Sequence, residues 1–304
     1  MALSLSKAPP QVQSPPLELL LFRLADEQLY GINVYKVTEV VHCPPLRRLP
    51  GSHAVVAGIA SLRGHAVPVI DLGQAIGQPA IAATPERYVI LTEFSRAQQG
   101  LLVSGVERII ATHWDAVRAP PGKGGAGFIT AMTSLDGEMV EILDVERVLA
   151  MLSRSEAQVP PAMVDSARQA LPTGLAPVMV VDDSSVARGQ VQRALHALGL
   201  ECVTKNNGRE AHEQLRTWAS QGAIETRVSM LISDIEMPEM DGYTLVSNVR
   251  QDSRLAGLKI LLHSSLSGRS NEDRARNSGA DRFLAKFHPE ELAAAVIEHL
   301  AAPR

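Results

Sequence analysis

Five polar side chains in the second half of the chain have the types and order needed to handle a phosphoryl group. Asp182 and Asp183 directly follow an apolar run, and Asp234 ends another one. Ser264 comes 30 residues after Asp234, and Lys286 comes 22 residues after Ser264. Three carboxylates at one place repel one another unless a divalent cation binds them, and oxygen ligands favour Mg²⁺. A lysine offsets the charge of a phosphoryl group, and a hydroxyl donates a hydrogen bond to it.

The elements that position these side chains alternate between short apolar runs and helical patterns. Strands are predicted over residues 177–181, 200–205, 228–234, 258–263 and 280–286, and helices over residues 184–198, 208–220, 243–251, 271–278 and 289–300. This alternation is typical of a doubly wound α/β sheet. Ligands bind such sheets at the carboxyl ends of the strands, so we expect the five side chains at one edge.

The segments VVDDSS, SDIEMPEMDGY, LLHSS and AKF resemble the response-regulator receiver domain, over about 177–304. The resemblance implies a flavodoxin-like (βα)5 fold in which Asp234 accepts a phosphoryl group from a phosphohistidine donor. It implies that Asp183 and Asp234 ligate Mg²⁺ directly, together with the backbone carbonyl of Glu236, whereas Asp182 acts through water. The haloacid-dehalogenase phosphatases also use an aspartate nucleophile and Mg²⁺, but they require Asp-x-Asp, and Glu236 occupies the second position here.

The receiver resemblance assigns the remaining site residues and shows two departures. It implies that Ser264 and Lys286 contact the phosphoryl oxygens and that Phe283 is the switching aromatic residue, often a tyrosine in the family. Phe287 follows the lysine where receivers usually carry a proline, often as a cis bond. A non-proline cis bond costs about 3–4 kcal/mol, so the geometry of this loop is left open.

The first half of the chain has patterns typical of β-strands, and it has no cluster of residues like that of the second half. Residues 1–16 are predicted to be a flexible tail, 17–152 a β domain and 153–176 a linker rich in Ala, Pro and Ser, in which Met163–Leu171 has room for a helical turn or two. Strand clusters are predicted at residues 17–41, 58–72, 86–110 and 128–143, and a short helix is predicted at Val145–Leu152. The hairpin turns are predicted at Asp26-Glu27, Arg63-Gly64, Gln98–Gly100 and Asp136-Gly137.

This half resembles the CheW-like domain of chemotaxis coupling proteins in the segments GINVYKVTEVV, LRRLPGS, GIASLRGHAVPVIDL and EILDVERVL. The resemblance implies two small β-barrels that bind the CheA histidine kinase and the cytoplasmic tips of chemoreceptors. The implied contact residues are Arg63, Gly64, Val34, Val37 and Val40. Valines at such spacing also suit a core, and Arg63 also suits a solvated turn.

A CheW-like domain followed by a receiver is similar to the CheV family, which implies a chemotaxis adaptor regulated by phosphorylation of Asp234. The alternative is a phosphate sink that drains phosphoryl groups from CheA, and a passive receiver is a third hypothesis. Apart from self-phosphorylation from a phosphohistidine donor and slow autodephosphorylation, we expect no enzyme activity, whereas the sink alternative predicts fast loss of the phosphoryl group. The sequence leaves open whether phosphorylation strengthens or weakens the coupling of receptor and kinase.

Composition restricts the class of protein. Hydrophobic residues make up 45% and charged residues 20%, as in ordinary globular domains. The net charge is −4 and neither half has a positive excess, which disfavours nucleic-acid binding. No apolar run is long enough for membrane insertion, and two cysteines do not make a disulfide framework. We therefore expect a cytoplasmic protein, and the CheV resemblance implies that it is located at chemoreceptor arrays.

Overall fold

The computed structural model describes residues 16–94, 97–113, 116–118, 120, 127–152, 158–264, 269–286 and 288–301. Its first part is built from ten strands and two helices, which are β1 Leu17–Arg23, β2 Leu29–Asn33, β3 Glu39–His42, β4 Val56–Leu62, β5 His65–Asp71, α1 Leu72–Ala75, β6 Tyr88–Phe94, β7 Ala97–Val103, β8 Gly105–Thr112, β9 Ile129–Leu135, β10 Glu138–Leu143 and α2 Val145–Leu152.

These strands form two five-stranded sheets. Their strand orders are β8-β1-β2-β10-β9 and β3-β6-β7-β5-β4, which agrees with the prediction of two small β units. Three of the predicted hairpin turns lie between paired strands. Positive φ angles at Arg63, Gly64, Asp136 and Gly137 give two of these turns the backbone twist that two-residue hairpins require.

The predicted turn at Gln98–Gly100 is wrong. These residues lie inside β7, and the hairpin pairs Phe94 with Ala97 instead. Gln98 is exposed and Gln99 is half-buried. Polar side chains are common at such positions of an antiparallel strand. Gly100 is closely packed, because an added Cβ would be 2.6 Å from Val89 Cγ1. This glycine therefore permits close packing of a strand and does not mark a turn.

The second part is a five-stranded parallel sheet covered by helices. Its elements are β11 Val178–Val181, α4 Ser185–Ala197, β12 Cys202–Lys205, α5 Gly208–Gln221, β13 Met230–Ser233, α6 Gly242–Gln251, β14 Lys259–Ser264, α7 Arg269–Ser278, β15 Arg282–Ala285 and α8 Pro289–Ala301. The strand order is β12-β11-β13-β14-β15, with all four pairs parallel. This is the flavodoxin-like order, and it confirms the predicted α/β fold.

The segment predicted as a linker contains a helix. Residues Pro161–Ala170 form α3, which packs against α8. Ala167 is fully buried, and Val159 joins the same core as the β11 and α8 side chains. The composition of this segment indicates a flexible connection, but Met163, Val164 and Ala167 supply the apolar contacts that hold it on the second domain. None of the helices within the described part of the chain has both the length and the apolar character needed to span a bilayer.

Candidate functional site

The carboxyl edge of the parallel sheet collects the acidic side chains. Asp182 follows β11, Asp234 follows β13, Ser264 ends β14 and Lys286 follows β15. The Asp234 amide donates a hydrogen bond of 2.7 Å to the carbonyl of Val181, which ties the two strand ends together. The chain leaves β11 towards β12 on one side and returns to β13 on the other, so this is the switch point at which such sheets bind ligands.

Lys286 lies at the centre of this edge. Its Nζ is 3.0 Å from Asp182 Oδ2 and 3.0 Å from Asp234 Oδ1, and its side chain is fully buried. Its amide donates to the carbonyl of Ser264 at 2.8 Å, which fixes β15 beside β14. Burial lowers the pKa of Lys286, but the charges of Asp182 and Asp234 outweigh this effect and raise the pKa well above its ordinary value. Lys286 is therefore a permanent cation.

Three carboxylates meet close to this lysine. Asp182, Asp183 and Asp234 each offer an oxygen atom, and these oxygens all lie within 4.8 Å of one another. Among the described residues, no hydrogen-bond donor contacts the buried oxygens Asp183 Oδ1, Asp234 Oδ2, or Glu236 Oε1 and Oε2. Unpartnered buried carboxylate oxygens are costly, and an all-oxygen donor set suits Mg²⁺ better than zinc. The residues present therefore fit the predicted Mg²⁺.

The acidity of these carboxyl groups reflects burial and mutual repulsion. Burial, together with the charge of Asp234, raises the pKa of Asp183 to about 7 and that of Glu236 to about 8, against the opposing charge of Lys36. Burial also raises the pKa of Asp182 well above its usual range, against the opposing effect of Lys286. In the absence of a cation, some of these groups hold protons at neutral pH. A cation that binds them must displace those protons.

The loop that carries Asp234 depends on a close backbone approach. A Cβ added to Gly242 would overlap the Asp234 carbonyl oxygen and would lie 2.9 Å from Ile235 Cα. The Gly242 amide donates to the Ile235 carbonyl at 2.8 Å, and Asp241 caps α6 by accepting from the Thr244 amide at 2.9 Å. The dipeptide Asp241-Gly242 is therefore both a helix cap and the residue pair that folds the loop against the phosphoacceptor candidate.

Ser264 and Phe283 lie on the neighbouring strands β14 and β15. Ser264 is fully buried at the end of β14. Phe283 is half-buried on β15 and, like Tyr243, packs against the core cluster that includes Leu262. The switching role of Phe283 stays a prediction, and Phe287 lies outside the described residues.

Two charged residues of the first domain reach the same site, and the sequence analysis missed both. Glu146, on α2, places Oε2 at 3.2 Å from Lys286 Nζ. Lys36, just after β2, places its Nζ at 3.5 Å from Glu146 Oε1. Burial lowers the pKa of Lys36, but Glu146, Asp183 and, less strongly, Glu236 outweigh this effect and raise it. Glu146 lies within the segment EILDVERVL, but nothing in a single sequence indicates that it faces residues 140 positions away.

A small cavity lies between the two domains at this point. Its volume is about 30 Å³, and its lining includes Lys36 and Asn33 from the first domain and Asp183, Glu236 and Pro238 from the second. A volume of ~10–15 Å³ holds one water molecule, so there is room for very few. The acidic edge is therefore covered by the first domain and is not an open cleft.

The predicted partner-binding residues of the first domain fall into two groups. Val34, Val37 and Val40 are half-buried and pack against the core of that domain, as the alternative interpretation expected. Arg63 and Gly64 form the turn between β4 and β5, and the Arg63 side chain is 80% exposed. Partner binding by any of these residues stays a prediction.

Comparisons with known proteins cover both domains. The profile of the CheW-like domain matches residues 18–153, and that of the response regulator receiver domain matches residues 178–297. The chain is 30% identical over 295 residues to chemotaxis protein CheV3 of Helicobacter pylori, covering 91% of this chain and 92% of that protein. It is 28% identical to CheV2 of the same organism over 90% of this chain and 92% of that one.

Single-domain relatives match each part separately. Chemotaxis protein CheW of Klebsiella aerogenes is 27% identical over 44% of this chain and 81% of its own length. The solved scaffolding protein TtCheW from Thermoanaerobacter tengcongensis is 27% identical, covers 44% of this chain and 92% of its own, and has a TM-score of 0.41. The two domain matches and the relatedness to CheV3 along nearly the whole length of both proteins agree. The chain belongs to the CheV family of chemotaxis coupling proteins, in which a CheW-like domain precedes a receiver domain.

Proposed function

We propose that this protein couples chemoreceptors to a CheA-type histidine kinase and that phosphorylation of Asp234 regulates the coupling. The observation that carries the proposal is the grouping of Asp182, Asp183, Asp234 and Lys286 at one sheet edge of a receiver joined to a CheW-like domain. The family supports the coupling role, and the geometry of the edge supports phosphoryl chemistry.

The proposed reaction is transfer of a phosphoryl group from a phosphohistidine. A carboxylate oxygen of Asp234 attacks phosphorus, a P–O bond forms and the P–N bond of the donor breaks. The histidine nitrogen keeps the bonding electron pair and takes up a proton from solvent. The product is an acyl phosphate on Asp234.

The surrounding residues of the chain offset the charge of the transferred group. Lys286, already 3.0 Å from Asp234 Oδ1, supplies an ammonium group to a phosphoryl oxygen. Ser264, buried beside it, supplies a hydroxyl donor. Asp183, Asp234 and the backbone carbonyl of Glu236 would hold Mg²⁺, and Asp182 would act through water. When bound, Mg²⁺ would stabilise negative charge on the phosphoryl oxygens.

The test is phosphotransfer from a phosphorylated CheA-type kinase to the wild-type chain and to Asp234→Asn. We expect acid-stable uptake of one phosphoryl group by the wild type in the presence of Mg²⁺, and none by Asp234→Asn or in EDTA. Asp165→Asn, an exposed aspartate on α3, is the matched control and should accept the group normally. Equal labelling of Asp234→Asn would contradict the assignment of the acceptor.

The lifetime of the phosphorylated form separates a switch from a sink. A regulated adaptor predicts slow loss of the group together with altered binding of the kinase in a pull-down. Fast loss with unchanged binding would instead support the phosphate sink. Wild-type swimming by a strain carrying Asp234→Asn would support a passive receiver.

A further inference from the structure

The contact between the two domains uses the same groups that phosphorylation requires. The ammonium group of Lys286 has three N–H donors. In this structure three carboxylates surround it, namely Asp182 and Asp234 at 3.0 Å each and Glu146 at 3.2 Å. Two of these carboxylates belong to the receiver, whereas Glu146 belongs to the coupling domain. A phosphoryl oxygen that approaches Lys286 must therefore compete with these carboxylates, and the ammonium group donates hydrogen bonds to Glu146.

Glu146 is the carboxylate that can leave. Asp182 and Asp234 are fixed by the strand ends that carry them, because both follow buried strands of one sheet. Glu146 reaches Lys286 from another domain, on the first turn of α2. A phosphoryl group on Asp234 would also add about −1.5 to −2 charge next to the Glu146 carboxylate. Both competition for Lys286 and repulsion therefore act against Glu146.

Lys36 lies beside the carboxylates that would hold the metal ion. Its side chain is 10% exposed and lines the cavity together with Asp183 and Glu236. The positive charge of Lys36 therefore faces carboxylates that would otherwise face a divalent cation. A bound Mg²⁺ would repel Lys36, because two cations in a partly desolvated site interact unfavourably.

Weaker contacts hold α2 against the receiver. α2 packs along α4, and Arg147 Nη1 lies 3.4 Å from the Ser185 hydroxyl. The side chain of Ser184, at the N-cap of α4, donates a hydrogen bond to the carboxylate of Asp144, which precedes α2. These two contacts are polar, and polar interfaces between domains of one chain permit relative motion of the domains.

We propose that the coupling domain closes over the phosphorylation site of its own receiver, with Glu146 in the place of a phosphoryl group and Lys36 in the place of the cation. Phosphorylation of Asp234 with Mg²⁺ expels both side chains and exposes the surface of α2. This inference rests on the proposed function, because it needs Asp234 to be the acceptor. It adds that the regulated event is separation of the two domains of one chain.

The experiment is hydrogen–deuterium exchange of the full chain with mass spectrometry, which follows α2 and the peptide around Lys36. The probes are Mg²⁺ alone and Mg²⁺ with acetyl phosphate, and the intact mass reports whether a phosphoryl group is bound. We expect amide exchange in Val145–Leu152 to rise at least about fivefold on phosphorylation, within the usual range of allosteric coupling. Asp234→Asn should show no rise.

A second variant tests the closure without any phosphoryl donor. Glu146→Gln should raise exchange in α2 and should lower the Mg²⁺ dissociation constant measured by calorimetry. Glu138→Gln, an exposed glutamate of the same domain paired with Arg23, is the matched control and should change neither quantity.

The outcomes distinguish the two proposals. A phosphorylated wild type whose α2 exchange is unchanged overturns the closure and leaves the proposed function standing. A chain that takes up no phosphoryl group from acetyl phosphate or from the kinase overturns the proposed function, and the closure with it. If Glu146→Gln does not fold, the comparison of the phosphorylated and unphosphorylated wild type still decides.

Discussion

The two candidate functional regions hold their charges in opposite ways. At the receiver edge, Lys286 is fully buried among Asp182, Asp234 and Glu146. At the hairpin turn of the coupling domain, Arg63 is 80% exposed and pairs with Glu39 at 2.9 Å. Buried charges depend strongly on their partners, whereas exposed pairs contribute little to stability. Substitutions at the edge should therefore change folding and chemistry together, and substitutions at the turn should change only binding.

The largest effect is expected from Lys286→Met. Removal of the ammonium group leaves three buried carboxylates without their shared cation, and breaking a buried pair in this way costs about 3–5 kcal/mol. Chemical denaturation in EDTA should show this loss in the transition of the receiver. Lys259→Met, at the half-buried start of β14, is the control. If Lys286→Met lowered the free energy of unfolding no more than Lys259→Met does, the buried charges of the receiver edge would not differ from exposed ones in their effect on stability.

A smaller effect is expected from Gly242→Ala. The added Cβ would overlap the Asp234 carbonyl oxygen, which is backbone and cannot rotate away. Overpacking of this kind costs about 1–3 kcal/mol, and it should also slow phosphotransfer by displacing Asp234. Gly257→Ala is a matched control, because an added Cβ there meets nothing within 4 Å. Equal stability of the two variants would show that the loop tolerates the displacement.

The buried carboxylates predict an unusual dependence of stability on pH. The pKa values of Asp183 and Glu236 rise on folding from 3.8 and 4.5 to about 7 and about 8. The folded state therefore binds protons that the unfolded chain releases, and the stability they contribute is lost as pH rises from about 4 to about 8. Thermal unfolding in EDTA should show a falling melting temperature over this range.

Two comparisons make the pH prediction specific. Saturating Mg²⁺ should flatten or reverse the fall, because the cation stabilises the ionised carboxylates. Asp183→Asn should make the slope shallower in EDTA, because it removes one of the titrating groups. A profile that is flat in EDTA and identical for the variant would contradict the burial of charge at this edge.

The smallest effect on stability is expected at the exposed turn. Arg63→Ala should change the free energy of unfolding by less than about 0.5 kcal/mol. If Arg63 contacts a partner, the same variant should weaken binding to a CheA-type kinase or to a receptor fragment by about fivefold or more. Arg108→Ala, which removes an exposed ion pair from the other sheet, is the control. Equal binding by both variants would remove Arg63 from the partner surface.

The residues of the receiver edge that belong to the receiver itself could be predicted from the sequence. The strand ends at Asp182, Asp234 and Lys286 could be placed together because a parallel sheet brings its carboxyl ends to one edge. Strand and helix bounds in the receiver agree with the predictions within about two residues. Such regularities follow from backbone periodicity and do not depend on how domains pack.

Contacts that depend on domain packing could not be predicted. Lys36 and Glu146 lie in segments that the CheW-like resemblance covers, but their ion pairs form only when α2 meets the receiver. The helix α3 in the predicted linker likewise gains its stability from α8, through side chains such as Ala167. No local sequence pattern indicates either the ion pairs of Lys36 and Glu146 or the packing of α3 on α8.

The central claim is that phosphorylation of Asp234 changes coupling, and the affinity for the kinase tests it most directly. The measurement is the dissociation constant of the full chain for a CheA-type kinase, with and without the phosphoryl group, using Asp234→Asn as the reference. The account predicts a change of at least about fivefold for the wild type, the lower end of typical allosteric coupling, and none for Asp234→Asn. Equal constants for the phosphorylated and unphosphorylated wild type would contradict it.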